Sequence, residues 1–343
     1  MEKSFLRFWD DRAMSDVTQI GLKGADLNRK QFGLASVIKL HSKGDEEGRW
    51  LTDLDMSIRQ DQVQDSKSRL IYRGEHQTEN DGKAFLDFGE NDWKHTIVKF
   101  STIASRRQPN QTIGFWMTTG TNVKFPTLQQ QISLTDLPTE GQTALFPEKM
   151  KSLEIGVRIV NKPKGIPDID QIEFQGSFFR NDYTDKMRVT YLLGMPVGYY
   201  ENVGIADMVG YEGNAKFKFY NGLMVAEAGF SKYNVSDLSV FPFKSTSKLT
   251  GKVTGEWKSL SFGYRWFRES EQIGWILLPR EGFKEIELPS FSNYDLSMTF
   301  DLNVGPVKGQ LSYSGRNLKK NDTTLDGLLL RDTRKYITFS AEF

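Results

Sequence analysis

Residues 294–304, YDLSMTFDLNV, alternate without a break. Tyr294, Leu296, Met298, Phe300, Leu302 and Val304 fall on one side; Asp295, Ser297, Thr299, Asp301 and Asn303 fall on the other. Side chains of a strand point to opposite faces in turn, so this is a strand of about 11 residues with one apolar and one wet surface. A helix would scatter the same residues around its circumference. The pattern recurs in LSFGYRW (260–266), KLTGKVTGEW (248–257), KMRVTYLLG (186–194), IEFQGSFF (172–179), LEIGVRIV (153–160) and RWLTDLDMSIR (49–59). Weaker stretches lie near 34–41, 67–76, 83–89, 95–104, 111–119, 214–220, 223–231, 307–315 and 335–343. The expectation is an all-β chain of about sixteen strands (14–18), spaced about 21 residues apart, with no long helix between them.

The connections alternate in length. From the C-terminus backward they read long (316–333), short (Gly305-Pro306), long (269–292), short (around Lys258) and long (232–246). A tight Asn221-Gly222 turn, a long link over 197–212 and a modest RNDYTD turn (180–185) follow. Such alternation is expected of an antiparallel up-and-down barrel that crosses a barrier. Residues 121–151 break the scheme, falling where a short turn is due; an extra hairpin or an insertion folded against the pore would account for them. Residues 1–32 carry no clean strand and read as a separate N-terminal segment, disordered or a mobile plug, ahead of a barrel over 33–343.

Composition narrows the chemistry. The 343 residues hold 45 basic and 44 acidic side chains, a net charge of +1, so no overall field attracts nucleic acid. Zero cysteines exclude disulfides and thiolate metal sites. The only histidines are His41, His76 and His95, poor material for a metalloenzyme, and nothing calls for a metal or a cofactor. His41 and Ser42 are adjacent on a strand, so they point to opposite faces and cannot share a proton. No GxSxG, HExxH or phosphate-loop string occurs, and no catalytic residue is expected. No apolar run approaches the ~20 residues of a membrane-spanning helix. The opening MEKSFLRFWDD lacks the apolar core of a secretion signal, as in a cytosolic chain or one whose signal has been removed.

The chain ends in KYITFSAEF, which sets Ile337, Phe339, Ala341 and Phe343 on one face. A closing alternating strand with a terminal Phe resembles Gram-negative outer-membrane β-barrels, and the resemblance extends as architecture over 33–343. It implies an outer-membrane location, a lipid-facing apolar side and a porin function. The PEFGG constriction motif of trimeric general porins is absent; Pro147-Glu148 continues into Lys149-Met150. That directs the resemblance toward monomeric oligosaccharide porins of the cyclodextrin type, with monomer and trimer both open. A TonB-coupled transporter is disfavoured, because about 32 leading residues are too few for a plug domain.

If the apolar face meets lipid, the polar face encloses water. The expected lining is Asp53, Asp55, Arg59, Glu154, Arg158, Glu173, Arg188, Lys216, Lys218, Glu227, Lys252, Glu256, Arg265, Asp295, Asp301 and Lys308. Mixed signs without a ring of one sign suit a weakly selective channel. Phe85, Phe179, Tyr220 and Phe267 share that face and could stack on sugar rings, or else pack beneath an inward-folded loop. Phe5, Phe8 and Trp9, at helix-like spacing, are candidates for a plug. The expectation is a passive diffusion channel for small hydrophilic solutes, sugars among them, with the lipid bilayer as its other partner. The alternatives are an outer-membrane enzyme, a surface-binding barrel or a soluble all-β protein.

Overall fold

The computed structural model describes residues 2–9, 21–42, 48–66, 68–73, 84–88, 90–131, 145–192, 198–278, 282–304, 307–319, 324–325, 328–329 and 333–342. Its first strands are β1 (Glu2–Trp9), β2 (Gly21–His41), β3 (Trp50–Asp65), β4 (Ser68–Arg73), β5 (Ala84–Phe88), β6 (Asn91–Gln108) and β7 (Gln111–Lys124). A short helix α1 (Leu128–Gln131) precedes β8 (Glu148–Asn161), β9 (Ile169–Leu192), β10 (Gly198–Phe219) and β11 (Met224–Val235). Then come β12 (Ser247–Trp257), β13 (Leu260–Glu269), β14 (Gln272–Leu278), β15 (Gly282–Leu288), β16 (Phe291–Val304) and β17 (Val307–Arg316). The two-residue β18 (Thr324–Leu325) and β19 (Leu328–Leu329) pair with each other, and β20 (Arg334–Glu342) closes the chain.

One sheet gathers 18 strands, the short ones included. Its wall runs β2–β3–β6–β7–β8–β9–β10–β11–β12–β13–β16–β17–β20, every neighbour antiparallel. This is the expected all-β, up-and-down architecture. Among the described residues the sheet stays open, since β20 pairs only with β17 and residues 32–41 of β2 only with β3.

Register carries the faces from strand to strand, because cross-strand partners share a side. Met117, Ile155, Phe178 and Tyr211 are successive partners, and so are Leu249's neighbour Phe230 and, further along, Phe262, Met298 and Tyr313. This face stays apolar and uncovered: Phe178 is 45% exposed, Leu249 47% and Phe339 64%. A water-soluble sheet would cover such a surface. The soluble all-β alternative therefore fails on the continuity of that surface.

Long connections all leave from one end of the wall and short turns from the other. The short end holds 109–110, 162–168, 220–223 and 258–259; the long end holds 125–147, 236–246 and 270–290. Two expected connections are instead strand. RNDYTD (180–185) lies inside β9 and 197–212 lies almost wholly inside β10. Charged and Gly-rich residues read as turns because a strand with water on one side, at a level above lipid, needs no apolar partner there. The misplaced turn also explains residues 121–151. With β9 continuous, that segment joins β7 to β8 at the long-loop end, where a long connection belongs.

Residues 1–32 also differ from expectation. Glu2–Trp9 forms β1 against residues 24–31, and β2 has already begun at Gly21. Phe5, Phe8 and Trp9 thus sit opposite Asn28, Ala25 and Gly24 in a strand ladder, not at helical spacing.

Candidate ligand-facing surface

The opposite face of the same ladder is polar, and it collects the predicted lining. Glu173, Lys216, Glu227, Lys252, Arg265 and Asp295 are successive cross-strand partners from β9 to β16, a single transverse row. Arg158 joins it diagonally, its Nε donating to Glu173 Oε1 at 2.7 Å. Lys216 Nζ lies 3.0 Å from Glu227 Oε1. Glu154, Lys218, Glu256, Asp301 and Lys308 occupy the same side by register. Asp301 accepts from Gln310 Nε2 at 3.0 Å.

Asp53, Asp55 and Arg59 stand on the polar side of β3, opposite His41, Lys39 and Ala35. His41 Nδ1 lies 3.0 Å from Asp53 Oδ1 while Ser42 Oγ accepts from Thr52 N, so His41 and Ser42 indeed serve separate partners. Arg59 pairs with Asp61 at 2.9 Å. Arg188 donates from both Nε and Nη2 to one oxygen of Glu201, Oε1, and from Nη1 to Ser239 Oγ in the turn 238–240.

The aromatic expectations divide. Phe179 packs on Tyr233, ring centroids 5.7 Å apart, and Phe267 meets Phe291 edge-on at 5.6 Å. Both rings are therefore covered by other rings. Tyr220 is a correction: it lies in the 220–223 turn with φ of 55°, exposed, and not on the wall. Asn221-Gly222 follows it, and the left-handed backbone there is what drew the turn to this position. Phe85 sits on β5 opposite Ile71, and its side chain falls outside the described residues.

Sequence reasoning missed the groups that tie the long-loop end to the polar face. Arg29, buried, grips Asp65 through Nε at 2.6 Å and Nη2 at 2.8 Å, and its Nη1 donates to the Pro126 carbonyl. Gln131 Nε2 adds a bond to Asp65 Oδ2 at 2.9 Å, so α1 is fastened to β2 and β3 by one carboxylate. Thr127 and Gln130 cap α1 reciprocally. Farther round the wall, Lys186 Nζ bonds Glu148 at 2.9 Å, with side chains 15% and 8% exposed. Glu148, read as part of a loop motif, is the first residue of β8. Above this pair Val240 and Phe241 pack on Ala206 and Met208, with Phe179, Tyr183 and Tyr233 alongside. Lys244, in the same connection, stands 4.8 Å from the Tyr233 ring centroid. Burial pulls its ammonium below the ordinary lysine range, with Lys186 adding to the effect and Glu212 opposing it.

Trp116 was missed too. It sits out of phase with Phe115 and Met117, so period two alone places it on the polar side. Its Nε1 donates to Glu154 Oε1 at 3.2 Å and its ring lies over Gly156. Beyond it a recess of about 450 Å³ opens, lined by Glu154, Gln175, Ser177, Glu212, Asn214 and Lys248 among others. A second, of about 370 Å³ near the short turns, is lined by Thr254, Glu256, Ser261, Ser297 and Thr299. Among the described residues no cluster of His, Asp and Glu is arranged to hold a metal ion. No described helix is long and apolar enough to cross a membrane, which says nothing of strands.

Comparison with known proteins places these features. The family model described as "TonB dependent receptor-like, beta-barrel" matches residues 26–318. The ferric-catecholate import receptor Fiu of E. coli K12 is similar in structure: TM-score 0.55, 14% identity, 88% of this chain covered and 41% of that one. BauA, the ferric preacinetobactin receptor of Acinetobacter baumannii, gives 0.53 at 12% identity, covering 93% and 43%. The iron transporter FrpB of Neisseria meningitidis gives 0.52 at 15%, covering 87% and 42%. At such identities the likeness is one of fold, and the chain spans about two-fifths of these proteins' length. No curated protein matches.

The match corrects the porin resemblance: the barrel is of the receptor type. It also overturns the argument against a TonB-coupled protein. That argument weighed the length of the leading segment, whereas the wall pattern over 26–318 is what identifies the family, and a wall carries no mark of what fills it.

Proposed function

Since the chain belongs to the TonB-dependent receptor-like β-barrel family, and is thereby an outer-membrane protein of a Gram-negative bacterium, we propose that its polar face is the wall of a gated receptor importing a small metal chelate. The family is one of receptors, not enzymes. The observation that carries the reading is the match of residues 26–318 to that family, and the fastened long-loop end of the wall accords with it. Arg29–Asp65, across β2 and β3, and Lys186–Glu148, across β9 and β8, are buried ion pairs between neighbouring wall strands, with side chains 8% and 5%, and 15% and 8%, exposed. The first also holds the α1 segment through the Pro126 carbonyl and Gln131. Withdrawing such charges from water is costly and is sustained only by specific geometry. The substrate class is taken from proteins of similar structure, an iron transporter and two receptors for ferric compounds.

The competing reading is a passive oligosaccharide channel. Its support is the near-balance of charge along the row, but Phe179 and Phe267 are each occupied by another ring rather than presented to a sugar. Two measurements separate the readings. In planar bilayers the purified chain is expected to give no steady conductance. In iron-starved cells it is expected to import a ferric chelate only while TonB is present. A large steady conductance with TonB-independent uptake, or sugar-dependent current block, refutes the gated receptor.

A further inference from the structure

The transverse row on the polar face alternates in sign except at one point. From β9 it reads Glu173, Lys216, Glu227, Lys252, Arg265, Asp295, so Lys252 and Arg265 are two cations set directly opposite each other. Like charges at directly opposed positions repel and are disfavoured in a sheet. The neighbouring cations are neutralised, Arg158 by Glu173, Lys216 by Glu227 and Lys248 by Glu269 at 2.8 Å. The carboxylates flanking the pair are engaged: Glu227 holds Lys216, and Asp295 Oδ1 accepts from Asn317 N at 3.0 Å. Among the described residues neither Lys252 nor Arg265 has an ion pair, and both are exposed.

We propose that Lys252 and Arg265 form a binding point for a multiply charged oxyanion group on a small ligand. Period two sets Lys252 between Thr250, which lines the larger recess, and Thr254, which lines the smaller. Arg265 stands likewise between Phe267 and Gly263, the latter on the smaller recess. The pair thus lies on the wall between the two recesses, with the Thr250 and Thr254 hydroxyls on either side of Lys252. A guanidinium presents a planar fork that matches two oxygens of a carboxylate or phosphate-type group, and an adjacent ammonium adds a point charge from the next strand. An anion bridging them removes the repulsion and completes the alternation. The assignment rests on reading the polar face as ligand-bearing.

The test is calorimetric titration of the full chain in a non-ionic detergent at low salt, with pyrophosphate as probe and sodium chloride of matched ionic strength as reference. Pyrophosphate is expected to bind, K252Q and R265Q each to weaken binding by about tenfold, and the double variant to abolish it. R158Q, which removes a cation already held by Glu173, is expected to change binding less than about twofold. No binding by the wild type, or an equal loss in R158Q, overturns the proposal. Should a variant fail to fold, lysine acetylation of the wild type gives the answer: pyrophosphate is expected to protect Lys252 and not Lys164, and equal labelling of both overturns it. Binding is read without transport, so a chain that binds pyrophosphate but imports nothing refutes the import reading alone.

Discussion

Asp65→Asn is the most revealing single change in the fastening of the long-loop end. The Asp65 carboxylate accepts from Arg29 Nε at 2.6 Å, Arg29 Nη2 at 2.8 Å, Gln131 Nε2 at 2.9 Å and Asn91 Nδ2 at 3.3 Å. Its side chain is 5% exposed and that of Arg29 8%, so water cannot replace what is lost. The amide keeps one acceptor oxygen and leaves the guanidinium uncompensated. Breaking a buried pair from one side costs about 3–5 kcal/mol. At about 1.4 kcal/mol per factor of ten, the ratio of folded to unfolded chain falls by roughly a hundredfold or more. Chemical unfolding of the detergent-held protein reads that change. Limited proteolysis reads the smaller local share, from the lost Gln131 bond to Asp65, when reclosing outpaces cleavage. Arg29→Met with Asp65→Leu should recover much of the loss, since apolar replacement of both partners is often neutral. The reasoning is refuted if the double variant is as unstable as Asp65→Asn. It is equally refuted if Asp182→Asn, which breaks the exposed Arg180 pair, does the same damage.

Further outcomes follow from the two faces. Phe178→Arg, on the apolar side, should destabilise the lipid-embedded chain by about 2–4 kcal/mol, while Ser177→Arg, one residue away on the polar side, should be nearly neutral; equal effects in an unfolding titration would contradict the facing. Gly156→Ala places a Cβ 2.0 Å from the Trp116 ring, so it should lower stability by about 1–3 kcal/mol, and Trp116→Ala should relieve it. Lys244 is held below its ordinary value of 10.5, chiefly by burial, so protonation favours the unfolded chain. Wild-type stability should therefore rise relative to Lys244→Met as pH climbs from the folded-state value toward 10.5, and unfolding midpoints across that range check it.

Much of the wall was legible in residue order alone. Alternation in YDLSMTFDLNV and its counterparts assigned Asp295, Glu173 or Lys252 to the polar side before any partner strand was known, because side-chain facing in a strand is a local property. The same pattern, with the alternating connection lengths, yielded the antiparallel architecture, and the resemblance of the closing KYITFSAEF strand to outer-membrane barrels implied the location. What local pattern does not contain is which strand lies next to which, and in what register. The alternating charge row, with its break at Lys252 and Arg265, exists only once β9 to β16 are aligned. Arg29 and Asp65 are 36 residues apart, and nothing near either one announces the other. The continuity of β9 through RNDYTD likewise depended on β10 supplying its hydrogen bonds. Facing is set by the covalent chain within a few residues, whereas pairing, burial and loop anchoring are set by distant segments brought together.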